Sequence, residues 1–135
     1  EKILNMASIA EAEVNKKDDY GKVVRVILNR LDKGMTLGMD STVAYGNNVK
    51  SAEITQKMLD DSSNKFNTRI HKGLPPTPIS NPGDSAIQAA IDPPQGNWLY
   101  FVTTDLNSGE TEFTDNADEF DKLVQKYKAN NEDAS

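Results

Sequence analysis

The sequence has no cysteine and only one histidine, His71, so disulfide bonds, thiolate metal ligands and a multi-histidine zinc site are excluded. Aromatic residues make up 7% of the chain, and no apolar run approaches the roughly 18 residues that a membrane-spanning helix needs. Basic residues are in the minority, since 15 Lys and Arg stand against 21 Asp and Glu, a formal net charge of −6. Because a nucleic-acid surface needs clustered cations to neutralise phosphates, this composition argues against nucleic acid as a partner.

The residues that are present suffice for one folded domain. The chain has 135 residues, of which 36% are hydrophobic, and a chain of this length can bury a core without disulfides or metals. It begins at Glu1 inside a helical pattern, with neither an initiator methionine nor a signal peptide. We therefore expect residues 1–130 to be one domain excised from a longer chain, and residues 131–135 to form a disordered tail.

The spacing of apolar residues predicts an α+β fold that is mainly helical and carries one β-hairpin. The stretch from Met35 to Asn48 has no sustained period and is expected to be a structured loop. Strands are predicted over residues 98–104 and 110–114, joined by a turn at 107–109. Helices are predicted over residues 3–16, 19–31, 51–59, 85–91 and 117–128.

The first predicted helix carries two acids, and Glu11 is the more informative. At about 100° per residue, Glu11 projects within or beside the apolar stripe and has no cation four residues away. Glu13 has Lys17 four residues on, with which it can pair. A carboxyl group that faces apolar surface without a cation should hold its proton near neutrality, as a general acid must. On spacing alone, the alternative is that Glu11 sits at the boundary of the stripe and reaches water.

Several segments, in order along the chain, resemble the YceG-like (MltG) family of endolytic murein transglycosylases. The similarity extends from about Leu4 to Tyr127. Any one segment alone would be weak evidence for the family, but the order and spacing of all the segments together are specific to it. The segments are 6–13 (MASIAEAE), 26–31 (VILNRL), 34–35 (GM), 40–46 (DSTVAYG), 66–68 (FNT), 73–76 (GLPP), 78–79 (PI), 81–83 (NPG) and 99–102 (LYFV).

The resemblance implies a lytic transglycosylase with a lysozyme-like, acid-bearing helix beside a glycan groove. Such an enzyme cuts the β-1,4 bond between N-acetylmuramic acid and N-acetylglucosamine in peptidoglycan and leaves a 1,6-anhydromuramic end. It implies Glu11 as the single general acid/base, and that chemistry needs neither a metal nor a cofactor. The substrate contacts that it implies are Asp40, Thr42, Tyr45, Asn67 and Thr68, with Gly73, Leu74, Pro75 and Pro76 as a stiff wall.

The resemblance also implies a setting for the domain. Family members carry an upstream transmembrane helix, so we expect this domain at the extracytoplasmic face of the bacterial membrane, anchored by a segment outside this sequence. Peptidoglycan strands are the implied substrate, and peptidoglycan synthases are implied partners.

The chain departs from the family pattern at four positions. Gly38 stands where the family often has Gln, and Ser41 replaces the Pro that follows the loop aspartate. Thr111 and Phe120 replace histidines that are usual in the hairpin and the last helix. The first two changes lie in and beside the segment 40–46, which holds the implied contacts Asp40, Thr42 and Tyr45.

Two other functions stay open from the sequence. One is a hydrolytic muramidase in which Glu11 is the acid and Asp40 is the base for a water molecule. The other is a non-catalytic domain that binds peptidoglycan or serves as a scaffold.

Overall fold

A computed structural model describes residues 2–131 of the chain, about half of which are helical. Within residues 2–131, six α-helices, two 3-10 turns and one antiparallel hairpin make up the fold, in the α+β, mainly helical class that the sequence predicts. The helices are α1 (Lys2–Glu13), α2 (Tyr20–Asp32), α3 (Asp40–Asn47), α4 (Gln56–Leu59), α5 (Asp84–Ile91) and α6 (Ala117–Asn131), and the strands are β1 (Tyr100–Asp105) and β2 (Glu110–Thr114).

Helix α1 lies in the centre of the molecule, packed against α2, α5 and α3. Six consecutive residues from Asn5 to Ala10 are buried, because neighbouring elements cover the helix on several sides. The core between α1 and α2 is aliphatic, and Ile9, Val23 and Ile27 are fully buried in it. This position makes α1 a rigid support for the acids at its carboxyl end.

The hairpin is covered by α6, and Phe101 and Phe113 of its strands pack against the hydrophobic core. Tyr100 of β1 pairs with Thr114 of β2, and the register becomes irregular between Thr103 and Asp105. Arg30 of α2 ties the hairpin to the helices, since its Nε donates to the carbonyl oxygen of Leu99 at 2.7 Å.

Three sequence predictions need correction. The first helix ends at Glu13 rather than at residue 16, and Lys17 belongs to a separate 3-10 turn. The predicted loop at residues 35–48 contains α3, whose small residues and Gly46 hide a helical period. Residues 51–59 form a 3-10 turn followed by the short α4, which begins after a Thr55 cap.

The last helix is longer than the predicted 117–128. Helix α6 continues through Asn131, so the first residue of the predicted tail is helical. The rest of that tail, residues 132–135, lies outside the described residues. None of the helices within residues 2–131 is long and apolar enough to cross a membrane.

Candidate active site

A cavity of about 360 Å³ opens where the carboxyl end of α1 meets α3 and the hairpin. Its lining combines acids, arginines and aromatic rings, the mixture that binds a polar ring with apolar faces. The lining residues are Glu13, Arg30, Thr36, Leu37, Gly38, Met39, Asp40, Arg69, Tyr100, Phe101 and Phe120. Of the residues predicted from the sequence for the site, only Asp40 lies in this cavity.

Glu13 is the acid of α1 that faces the cavity. The backbone N–H of Ser41 donates to its Oε2 at 3.1 Å, which joins the end of α1 to the first turn of α3. Burial raises the pKa of Glu13 above its usual value, and the nearby charge of Asp40 raises it further. The hydrogen bonds from Ser41 and the charge of Arg69 act in the opposite direction but are outweighed. Glu13 therefore has the raised proton affinity that a general acid needs.

Glu11 lies elsewhere. Its side chain is half-buried, and its Oε2 accepts a hydrogen bond at 3.0 Å from the backbone N–H of Gly83, which precedes α5. A carboxylate at this position favours the start of α5, because helix N-termini attract negative charge. The geometry thus gives Glu11 a structural partner and leaves it out of the lining of the cavity.

The expected pairing of Glu13 with Lys17 is not formed. The ion pairs found within the described part of the chain are Arg69–Asp40 and Lys126–Glu112. The rule that residues four apart are neighbours applies only inside a helix, and α1 ends at Glu13. The signal in the sequence was the polar run that follows Val14, which marks the end of the apolar pattern.

Asp40 lies at the rim of the cavity and is paired with Arg69. The Nε and Nη2 of Arg69 donate to the same carboxylate oxygen of Asp40, at 2.9 and 2.6 Å. Both side chains are about half exposed, so water weakens the pair and leaves it able to exchange partners.

Three of the predicted substrate contacts are buried instead. Thr42, Asn67 and Thr68 are at most 2% exposed, so a glycan cannot reach their side chains in this structure. The hydroxyl groups of Thr42 and Thr68 lie 2.8 Å apart, and the Thr68 hydroxyl accepts from the backbone N–H of Met39 at 2.9 Å. Thr42 and Thr68 thus hold the loop before α3, and a substrate contact by any of the three residues stays a prediction.

The remaining predicted contacts lie outside the lining of the cavity. Tyr45 is 48% exposed, and its ring packs on Phe66 with centroids 5.0 Å apart. The predicted wall at residues 73–76 runs past the opposite end of α1, where the buried Asn5 donates to the carbonyl oxygen of Pro75 at 2.8 Å. Leu74 packs against the core.

The positions that depart from the family pattern fall close to the cavity in three of four cases. Gly38 adopts a φ of +62°, which favours glycine, and an added Cβ would lie 3.3 Å from Nη1 of Arg30. Ser41 supplies the N–H that contacts Glu13. Phe120 lines the cavity and stacks on Tyr100 with centroids 5.0 Å apart, whereas Thr111 bonds to Thr103 in the hairpin.

Nothing in the site indicates a metal ligand set. Among residues 2–131, no group of three or more His, Cys, Asp or Glu side chains is arranged to hold a metal ion.

The raised pKa of Glu13 makes a prediction for stability. Below the unfolded-state pKa of about 4.3, Glu13 is protonated in both states, and burial carries no penalty. As the pH rises towards the folded-state pKa, the unfolded chain releases the proton first, so folding stability falls. Glu13→Gln should therefore be more stable than the wild type at pH 7.5, with a melting temperature higher by roughly a few degrees, and the difference should shrink at pH 4.

Denaturant unfolding at the two pH values measures this effect. Glu110→Gln, at an exposed hairpin position, is the control and should change the unfolding free energy by less than about 0.5 kcal/mol at either pH. A Glu13→Gln protein that is no more stable than the wild type at pH 7.5 would contradict the assignment of a carboxyl group whose pKa is raised in the folded state.

The fold and the cavity together define a mainly helical α+β domain with one half-buried acid, Glu13, in an open cavity. The chain belongs to the YceG-like family, since the sequence model of that family matches residues 1–126. This confirms the resemblance identified from the sequence.

Similar proteins include an endolytic murein transglycosylase of Bacillus subtilis, which is 38% identical over 126 residues, 93% of this chain and 34% of that protein. An endolytic murein transglycosylase of Streptococcus pneumoniae is 28% identical over 131 residues, 93% of this chain and 23% of that protein. The chain therefore spans 34% of the length of the first relative and 23% of the length of the second. A crystal structure of a YceG-like protein from Listeria monocytogenes matches with a TM-score of 0.84 and 38% identity, over 90% of this chain and 39% of that one.

Proposed function

We propose that this domain is a lytic transglycosylase that cleaves the glycan strands of peptidoglycan, with Glu13 as its general acid and base. The observation that carries the proposal is the raised pKa of Glu13 in an open cavity lined by polar and aromatic groups. The names of the similar proteins support the substrate class, because two of them are endolytic murein transglycosylases.

One acid suffices for this reaction. Protonated Glu13 gives its proton to the glycosidic oxygen while the bond from that oxygen to C1 of the muramic residue breaks, and positive charge develops at C1. The Glu13 carboxylate then takes the proton of the C6 hydroxyl of the same sugar as that oxygen bonds to C1. The products are a 1,6-anhydromuramic end and a free hydroxyl group, and no water is consumed. Transfer by one positioned acid/base accounts for roughly 10²–10⁴-fold of the rate, and contacts in the groove supply the rest.

The lining of the cavity supports the other needs of the reaction. The rings of Tyr100, Phe101 and Phe120 offer apolar surface to a sugar face, and the polar rim at Asp40 and Arg69 offers hydrogen bonds to hydroxyl and amide groups. Because the helix carrying Glu13 is buried, the acid is held on a rigid support.

Peptidoglycan lies outside the cytoplasmic membrane, so the proposed reaction places the domain at the extracytoplasmic face. The upstream anchor and the synthase partners that the family resemblance implies stay predictions.

The products of strand digestion test the function. Purified glycan strands are digested in water labelled with oxygen-18, and the new ends are analysed by mass spectrometry. We expect ends that are lighter than a reducing end by one water and that carry no label.

Two other results would replace the proposal. Labelled reducing ends would indicate a hydrolytic muramidase, for which Asp40 in the same cavity is the candidate base, and Asp40→Asn would then abolish cleavage. Strands that bind but stay intact would indicate a domain that holds peptidoglycan without cutting it.

A further inference from the structure

Two guanidinium groups face the cavity that holds Glu13. Arg30 reaches it from α2, and Arg69 reaches it from the segment between α4 and α5. The acids that line it are Glu13, which keeps its proton more readily than usual, and Asp40, which is paired with Arg69. With Glu13 protonated, the lining has one positive charge in excess, although the whole chain has a formal net charge of −6.

Arg30 is the source of the excess charge. Its Nε donates to the carbonyl oxygen of Leu99, and its Nη1 donates to the carbonyl oxygens of Leu37 and Thr36 at 2.8 and 3.2 Å. Within residues 2–131, its Nη2 has no hydrogen bond and the guanidinium has no carboxylate partner. Partial burial lowers the pKa of Arg30, Tyr100 acts in the opposite direction, and the charge of Arg69 lowers the pKa further. The guanidinium lies over the Tyr100 ring, 5.3 Å from its centroid, but an aromatic ring leaves its charge unneutralised. A cation withdrawn from water and left without a counterion attracts an anionic ligand.

We propose that Arg30 and Arg69 form a carboxylate subsite beside Glu13, which binds an acidic group of the glycan strand. The proposal rests on the proposed function, since that function supplies the ligand. Two groups of peptidoglycan offer the required chemistry: the lactyl carboxylate of a peptide-free muramic residue, and a carboxylate of a stem peptide. Arg69 can turn from Asp40 to the ligand, because its present pair is half exposed.

The subsite couples binding to catalysis. A carboxylate bound next to Glu13 adds negative charge to the cavity, which strengthens the hold of Glu13 on its proton. Glu13 is then more fully protonated when a strand that carries the acidic substituent is bound.

A non-cleavable ligand tests the subsite apart from turnover. The disaccharide GlcNAc-β-1,4-MurNAc lacks the bond that is cut, so it can be titrated into the wild-type domain. Three forms are compared by NMR: the free lactyl acid, its methylamide, and the conjugate with L-Ala-D-isoglutamate. We expect the free acid or the conjugate to bind about tenfold more tightly than the methylamide, as charge-assisted hydrogen bonds require, and to shift the Nε–H signals of Arg30 and Arg69.

The two acidic forms identify the source of the carboxylate. Tight binding of the free acid alone assigns the lactyl group, and tight binding of the conjugate assigns the stem peptide. Equal binding of all three forms, with the arginine signals unmoved, would overturn the subsite.

Variants give a second test. Arg69→Gln should remove most of the tenfold preference, and Asp40→Asn should increase it, because Arg69 loses its competing partner. Arg25→Gln is the matched control, since Arg25 also lies on α2 and its Nε donates to a carbonyl oxygen, that of Pro94, but it lies outside this cavity. The Arg25→Gln variant should keep the tenfold preference for the acidic ligand over the methylamide.

If Asp40→Asn changes the affinity for the acid and for the methylamide equally, the subsite is refuted. These binding results do not depend on turnover. If the domain prefers carboxylates but forms no anhydro products, the subsite is upheld and the transglycosylase is refuted. If it forms anhydro products but shows no preference for carboxylates, the transglycosylase is upheld and the subsite is refuted.

Discussion

Glu13→Gln is expected to abolish strand cleavage, whereas Glu11→Gln is expected to leave most of it. The glutamine keeps the size of the side chain, and its carbonyl oxygen can still accept from the N–H of Ser41, but it has no proton to give to the glycosidic oxygen. Loss of a positioned general acid lowers kcat by roughly 10²–10⁴-fold. Initial rates of anhydro-end formation, measured by mass spectrometry on purified strands, give the comparison.

Glu11→Gln is a well-matched control, because it makes the same chemical change two residues away on the same helix. Its amide oxygen can keep the hydrogen bond from Gly83, so the start of α5 should stay in place. If Glu11→Gln loses activity while Glu13→Gln keeps it, the acid is Glu11, as the sequence alone predicts. If both variants keep the wild-type rate, neither carboxyl group is the catalytic acid.

The expected pH dependence follows from the same assignment. Cleavage requires protonated Glu13, so the rate should fall as the pH rises through its raised pKa. A rate that is unchanged between mildly acidic and alkaline pH would argue against Glu13 as the proton donor.

The sequence predicted most closely the elements that have a strong periodic pattern. The second strand has the predicted bounds, Glu110–Thr114, and α2 is displaced by one residue at each end, because both have strong periodic patterns. Helix α3 was missed because its stability depends on tertiary contacts, such as the hydrogen bond from Ser41 to Glu13.

The choice between Glu11 and Glu13 depended on where the first helix ends, which differs by three residues between the prediction and the structure. A helix that continues to Lys16 gives Glu13 a partner in Lys17, but a helix that ends at Glu13 turns that side chain into the cavity. Helix ends are difficult to place from sequence, since caps and tertiary contacts fix them. The family resemblance directed attention to this helix, and only the fold showed which of its acids faces the cavity.

The polar segment at residues 66–68 also shows why ligand contacts are difficult to predict from sequence. From sequence alone, a polar side chain in a loop suggests ligand binding. The same polar groups can also form hydrogen bonds with buried backbone N–H and C=O groups. Asn67 is fully buried, and its Nδ2 lies within hydrogen-bond distance of the carbonyl oxygens of Met58, Leu59 and Asp61. Its Oδ1 accepts from the backbone N–H of Arg69 at 3.0 Å.

Asn67→Ala should therefore be the most destabilising of the substitutions considered, with a loss of about 2–4 kcal/mol in unfolding free energy, because several buried backbone groups lose their partner. The melting temperature should fall by roughly 10 °C, as scanning calorimetry or circular dichroism can measure. Asn107→Ala, in the exposed hairpin turn, is the control and should be nearly neutral.

The same variant separates the two roles that Asn67 can have. A substrate contact would weaken binding of glycan and leave stability unchanged. A positioning residue lowers stability first, and it weakens the carboxylate preference only through Arg69, whose backbone it fixes. A stable Asn67→Ala protein with lost glycan affinity would restore Asn67 to the glycan groove, and it would show that the loop opens enough in solution to expose a side chain that this structure buries.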